Sequence, residues 1–210
     1  MMRTLYDKYD KTKIKDLPPA RFEGRIVVVI SESEAARAVD YLLSQDILGM
    51  DTETRPSFRK GTIHKVALLQ VSTREVCFLF RLSLTGITSS IKRLLEDTTV
   101  TKAGLSWHDD LLSLHKRAPF EAGSYVDIQD CAAEIGIADR SLQKLYANIF
   151  GRRISKTQQL SNWDADILTE AQKMYAATDA WACIMLYDEL TRLKRTGDYR
   201  IEMKNEEFSE

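Results

Sequence analysis

The sequence predicts an α/β fold in which a mixed β-sheet is flanked by α-helices. Short β-branched and apolar segments separated by turn-like or charged residues fill the first half, helical stretches alternate with short strands through the middle, and consecutive helices close the chain. The composition suits one large core: 210 residues, 44% hydrophobic and 29% charged. We expect a single domain over residues 23–197, preceded by an arm over 1–22 and followed by a polar tail over 198–210.

Taken in order, the arm carries Lys8, Lys11, Lys13, Lys15 and the Pro18-Pro19 pair, reads as extended and shows no core of its own. Residues 25–30 are a β-branched run fit for a strand. Ser31 and Glu34 then have the spacing of a capping box, in which each side chain satisfies a backbone N–H of the other, and an Ala-rich helix follows to about residue 44. Residues 47–54, 65–72 and 76–82 read as neighbouring strands, while Pro56 and Gly61 make 55–64 a loop. A helix over 89–96, a strand over 100–105, a helix over 109–116 and a short apolar-to-acidic step at 125–127 come next. Thr169 and Gln172 form a second capping box, opening a long helix that nothing breaks before Gly197. The acidic tail beyond it is expected to fray.

Composition also narrows the function. A formal net charge of −1 gives no global basic field, so any contact with nucleic acid must be local and short. The longest aliphatic run, 26–30, is far below the ~20 residues needed to span a bilayer, and the start lacks the apolar core of a signal peptide, so no membrane is expected and the cytoplasm is the default compartment. The three cysteines, at 77, 131 and 183, have neither an even count nor a CxxC spacing and read as buried small hydrophobes.

Acidic residues carry the chemical signal. Asp51 and Glu53 are two apart in the strand-like segment 47–54, so both carboxylates share one face. Strands are depleted in acids, and two at the apolar end of one require a partner, most simply a hard cation, although a strand end facing solvent would read the same. Tyr175 and Asp179 are four apart in a helical stretch and stand one turn above the other, with the small Ala176 and Ala177 between them. Alone they also fit an ordinary surface pair. Asp110 lies where the strand over 100–105 gives way to a helix with carboxylates in its first turn.

Together, Asp51-Thr52-Glu53, the segment Lys102-Ala-Gly-Leu-Ser-Trp-His-Asp-Asp110 and Tyr175-x-x-x-Asp179 resemble, in this order, the motifs of the DEDD superfamily of 3′-5′ exonucleases, tyrosine subclass. The run 52–58, the strand 66–71 and Leu160-Ser-Asn-Trp163 are similar to the Werner-type branch of that superfamily. The resemblance covers about 22–193 and implies a ribonuclease H-like fold. It implies two Mg²⁺ or Mn²⁺ ions held by Asp51, Glu53, Asp110 and Asp179, with Asp51 bridging both, and Tyr175 orienting the attacking water. The implied substrate is the 3′ end of DNA, single-stranded or recessed; an RNA 3′-end-processing enzyme, or an inactive nucleic-acid-binding member of the fold, are the alternatives. No obligate protein partner is evident.

The strand needs contacts beyond the acids. Thr52, Thr54, Arg55, Phe58, Arg59, Lys60, His64 and Lys65 form a basic, aromatic-bearing segment directly after the first motif, suited to phosphate contact and base stacking. Arg152, Arg153 and Lys156 make a second basic cluster. His108 and His115 read as structural and helix-surface residues, Trp107, Trp163 and Trp181 as packing, Asp127 as a helix cap, and Asp109, Asp164 and Asp166 as solvated or capping acids.

Overall fold

A computed structural model describes residues 2–58, 61 and 63–203. In chain order its elements are β1 (Arg3–Tyr6), a short 3-10 helix (Lys11–Asp16) where an extended arm is expected, β2 (Arg25–Val29), α1 (Glu32–Leu42), β3 (Ile47–Thr54), β4 (Val66–Ser72), β5 (Val76–Arg81), α2 (Leu82–Thr85) and α3 (Ser89–Glu96). Then follow β6 (Thr101–Gly104), α4 (Trp107–His115), β7 (Tyr125–Asp127), α5 (Ile128–Glu134), α6 (Leu142–Phe150), α7 (Glu170–Thr196) and β8 (Tyr199–Glu202). The sheet runs β2-β5-β4-β3-β6-β7. β4 is antiparallel to both neighbours, joined to β5 by a short turn and to β3 by the longer segment 55–65, and the other pairs are parallel.

Both expected capping boxes form, at Ser31/Glu34 and at Thr169/Gln172, and Gly197 closes α7 in the left-handed conformation. α7 is 27 residues long and is the main support of the site.

The side chains of β3 alternate between two layers. Leu48 and Met50 pack with α1, α3, Trp107 and Leu114 on one face. Ile47 packs with α5, α6 and the later part of α7 on the other, where Gly49 also meets α7. A Cβ at Gly49 would lie 2.0 Å from the Ala180 carbonyl oxygen, so the backbones of β3 and α7 touch only because position 49 has no side chain. Small Ala176, Ala177 and Ala180 complete that close crossing.

The expected arm is not a separate appendage. β1 pairs in parallel with β8, Leu5 is fully buried, and Ile14, Ala20 and Phe22 are buried too. Asn148 of α6 clasps Tyr6 through its backbone N–H and C=O, and Arg153 hydrogen-bonds the backbone of Pro18 and Ala20. The apolar residues in this segment are too widely spaced to form a periodic pattern, and their partners lie more than a hundred residues away, so local reading misses them. The same pairing orders 199–202 of the expected tail; residues 204–210 lie outside the described residues, as do Arg59 and Lys60. The three cysteines are free, Cys77 and Cys183 are buried, and Cys131 is half-buried. No helix among the described residues is long and apolar enough to cross a membrane.

Gly49→Ala should lower stability by about 1–3 kcal/mol, because the clash is with backbone and not with a movable side-chain tip. Urea unfolding with an unchanged m-value is the check, and wild-type stability would mean that α7 can shift freely.

Candidate active site

β3 and α7 build the centre of the site. Asp51 and Glu53 project toward α7, and Asp179 meets them from the turn just before the Gly49–Ala180 crossing. One carboxylate oxygen from each lies within 4.8 Å of the others, while Glu53 is only 8% exposed and Asp179 6%. The β3–β4 register shifts between Glu53 and Thr54, an irregularity of the kind found beside functional sites.

Burial and mutual repulsion raise these acids out of the usual carboxylate range. Asp51 is pushed well up by burial and then by the charges of Asp110, Glu53 and Asp179. Glu53 rises to about 9 by burial and the charges of Asp179 and Asp110. Burial carries Asp179 to about 7, against the pull of a Tyr175 hydrogen bond and of the Lys156 charge. Clustered anions of this kind are stabilised by a bound cation, and all donors are hard oxygens of the type that Mg²⁺, Mn²⁺ and Ca²⁺ accept. Asp179 Oδ1 is buried with no hydrogen-bond partner among the described residues, an arrangement that suits such an ion. The acids present therefore fit a divalent metal centre.

Asp110 arrives from the opposite layer. It stands in the first turn of α4 and accepts a hydrogen bond from Thr52, which lies between Asp51 and Glu53 but faces the other side of β3. Burial raises it to about 6 although the Thr52 hydroxyl opposes this. It stays outside the tight group of three yet is near enough for its charge to raise Asp51.

Asp127 does more than cap the helix that follows it. It accepts from Gln129 N at 2.9 Å as expected, and also from Ser106 N at 3.2 Å and Trp107 N at 3.0 Å, thereby capping α4 as well. Ser106 holds φ 58°, the left-handed region, and Gln129 Nε2 donates to its hydroxyl at 2.7 Å. This turn, with Asp127 beneath it, sets the angle at which α4 presents Asp110. Lys102, at the start of the same motif, is buried and donates to the Asp97 and Val100 carbonyls at 2.6 and 3.0 Å, which is a structural role.

Tyr175 donates its hydroxyl to Asp179, and burial plus the charges of Asp179 and Glu53 hold it far above the ordinary phenol range, so it remains a neutral phenol. Its ring packs against the fully buried Trp163 at 6.0 Å between centroids. Trp107 is buried against Tyr125, and Trp181 packs against Phe22 and Tyr146, so all three tryptophans are packing residues. His108 is exposed; His115 is exposed but stacks on Phe120.

A cavity of about 270 Å³ opens over the acids, lined among others by Asp51, Thr52, Glu53, Lys156, Gln159 and Tyr175. A wider groove of about 580 Å³ is lined by Arg55, Pro56, Ser57, Phe58, His64, Leu160 and Asn162. Of the basic segment, Arg55, Phe58 and His64 thus share a groove, whereas Thr54 and Lys65 line neither cavity. The second basic cluster divides: Lys156 faces the site, while Arg153 is spent on the Leu17 carbonyl. Gln159 had no signal in the sequence, being one glutamine of a polar loop.

A family model described as a 3′-5′ exonuclease matches residues 26–194. The mouse bifunctional 3′-5′ exonuclease/ATP-dependent helicase WRN is 32% identical over 198 residues, covering 89% of this chain but only 14% of that protein. A 3′-5′ exonuclease of Arabidopsis thaliana is 29% identical over 208 residues, covering 90% of this chain and 72% of the relative. The crystal structure of Escherichia coli RNase D superposes with a TM-score of 0.73 at 20% identity, covering 82% of this chain and 45% of that one, a likeness of fold. The clustered acids, the Tyr-x-x-x-Asp helix and the ribonuclease H-like sheet agree with these matches, and the chain belongs to the 3′-5′ exonuclease family of the DEDD superfamily.

Proposed function

We propose that this exonuclease domain removes nucleotides from the 3′ end of DNA, single-stranded or recessed, using two Mg²⁺ or Mn²⁺ ions held by Asp51, Glu53, Asp110 and Asp179. The observation that carries the reading is the convergence of three carboxylates, the buried Glu53 and Asp179 and the half-buried Asp51, within 4.8 Å beside a phenol. DNA is placed first on the likeness of the motifs to the Werner-type branch, and the mouse relative at 32% identity joins a 3′-5′ exonuclease to a helicase. RNA is the second reading, because the E. coli protein sharing the fold is described as an exoribonuclease involved in structured RNA processing. A cytoplasmic location is in keeping with the absence, among described residues, of any helix fit for a membrane.

When bound, the ion pair supplies positive charge to attacking and leaving oxygens and acidifies its water. Asp51, with three anionic neighbours, is the natural shared ligand and the least replaceable of the acids. Tyr175 has no accessible phenolate, so it acts as a hydrogen-bonding guide for the nucleophilic water and not as its base. Lys156, exposed at the cavity rim, offers a charge to a substrate phosphate. The wider groove suits the strand upstream of the cleaved bond: Arg55 and His64 reach phosphates, and Phe58, 85% exposed, presents a stacking face. Thr52 and Thr54 flank the acids on β3, and Arg59, Lys60 and Lys65 extend the same basic segment.

Digestion of matched 3′-labelled DNA and RNA, single-stranded and duplex, with Mn²⁺ or Mg²⁺, tests activity, polarity and sugar choice together. Asp51→Asn should reduce nucleotide release to that of the metal-free control, and a retained wild-type rate would sink the metal assignment. Tyr175→Phe should lower kcat by about 10²-fold with Mn²⁺ binding kept; loss of binding instead would make the phenol structural.

The raised carboxylates also set a pH dependence. Without metal they are held protonated in the folded state but ionise at ordinary values in the unfolded chain, so their contribution to stability is intact below about pH 4 and is lost as pH rises through the folded values near 6, 7 and 9. Divalent binding needs the ionised forms. The Tm in EDTA should therefore fall between pH 6 and 9 while the rise caused by Mn²⁺ grows, and a metal-induced shift that shrinks with pH would contradict this site.

A further inference from the structure

Gln70 interrupts the buried apolar run of β4 and is itself fully buried. In the antiparallel register it stands directly opposite Asp51, so both side chains project from the same face of the sheet. Its Nε2 donates to Asp51 Oδ2 at 3.4 Å, a long hydrogen bond, while its Oε1 is buried with no partner among the described residues. The amide could turn over only by pressing Oε1 against a carboxylate oxygen, so Asp51 dictates its orientation at the expense of the other end. A buried orphan acceptor is destabilising, and in a strand buried on both sides an aliphatic side chain would serve the core better.

We propose that Gln70 is a positioning residue for the metal-binding carboxylate of Asp51. It holds one carboxylate oxygen from across the sheet and thereby orients the group toward Glu53 and Asp179. A neutral donor suits this role, since lysine or arginine in its place would also hold Asp51 but would repel a cation and compete with it for the carboxylate. The assignment rests on the two-metal reading of the same site.

The test measures half-saturation by Mn²⁺ through water-proton relaxation, with apo Tm in EDTA alongside, for the unsubstituted chain, Gln70→Met, Gln70→Leu and an Asp51→Asn control. Gln70→Met keeps the side-chain length without the donor, and Gln70→Leu gives an aliphatic alternative should the first variant pack poorly. Half-saturation should move at least about tenfold to higher Mn²⁺, with apo Tm unchanged or raised because the orphan oxygen is gone. A structural role predicts the reverse, a lowered apo Tm with normal Mn²⁺ binding. Wild-type half-saturation in a folded variant overturns the assignment alone, and so does loss of the cooperative apo transition in both variants. No Mn²⁺ binding by the unsubstituted chain overturns the two-metal reading and this assignment with it.

Discussion

Repulsion among buried and half-buried carboxylates is the constraint around which the rest of the molecule is arranged. Asp51, Glu53 and Asp179 crowd within 4.8 Å, with the Asp110 charge close by, in a place where β3 and α7 have excluded much of the water. Like charges in such surroundings resist ionisation, and each of the four sits above the usual carboxylate range. The surrounding fold must supply enough packing to hold them together before any cation relieves the repulsion. It does so through the Gly49–Ala180 crossing, the alanines of α7 and the capping box that anchors that helix.

Two layers contribute to the site on different terms. On the α7 side, three carboxylates and the phenol are fixed by the direct backbone approach of helix and strand. On the other side, Asp110 depends on a chain of supports: Asp127 caps the strained Ser106 turn, the turn aims α4, and Thr52 ties Asp110 back to β3. Thr52 therefore joins the layers, with neighbours on either side of it in the chain facing the opposite way.

Much of the architecture was legible because its causes are local. The β-branched runs, both capping boxes and the Gly197 stop each depend on residues within a few positions of one another. The N-terminal segment was not legible, since Leu5, Ile14, Ala20 and Phe22 show no periodicity and become core only on docking against distant elements. The same holds for the double duty of Asp127, whose one visible role was the cap beside it. Gln70 offered a trace, a polar residue inside an apolar strand, but its meaning needed the strand register that sets it opposite Asp51.

The sequence by itself determined the alternation that turns Asp51 and Glu53 to one face, the helical spacing of Tyr175 and Asp179, and the order of motifs by which the family was recognised. Periods of 2 and 3.6 residues follow from backbone geometry, and a single chain of letters carries them. Tertiary structure alone decided that three of the acids form one tight group while Asp110 approaches from the opposite layer, that Lys156 faces the site and Arg153 does not, and that the first residues belong to the core. Each of these is a distance between segments far apart in the chain, set by packing and strand register, and no local pattern encodes it.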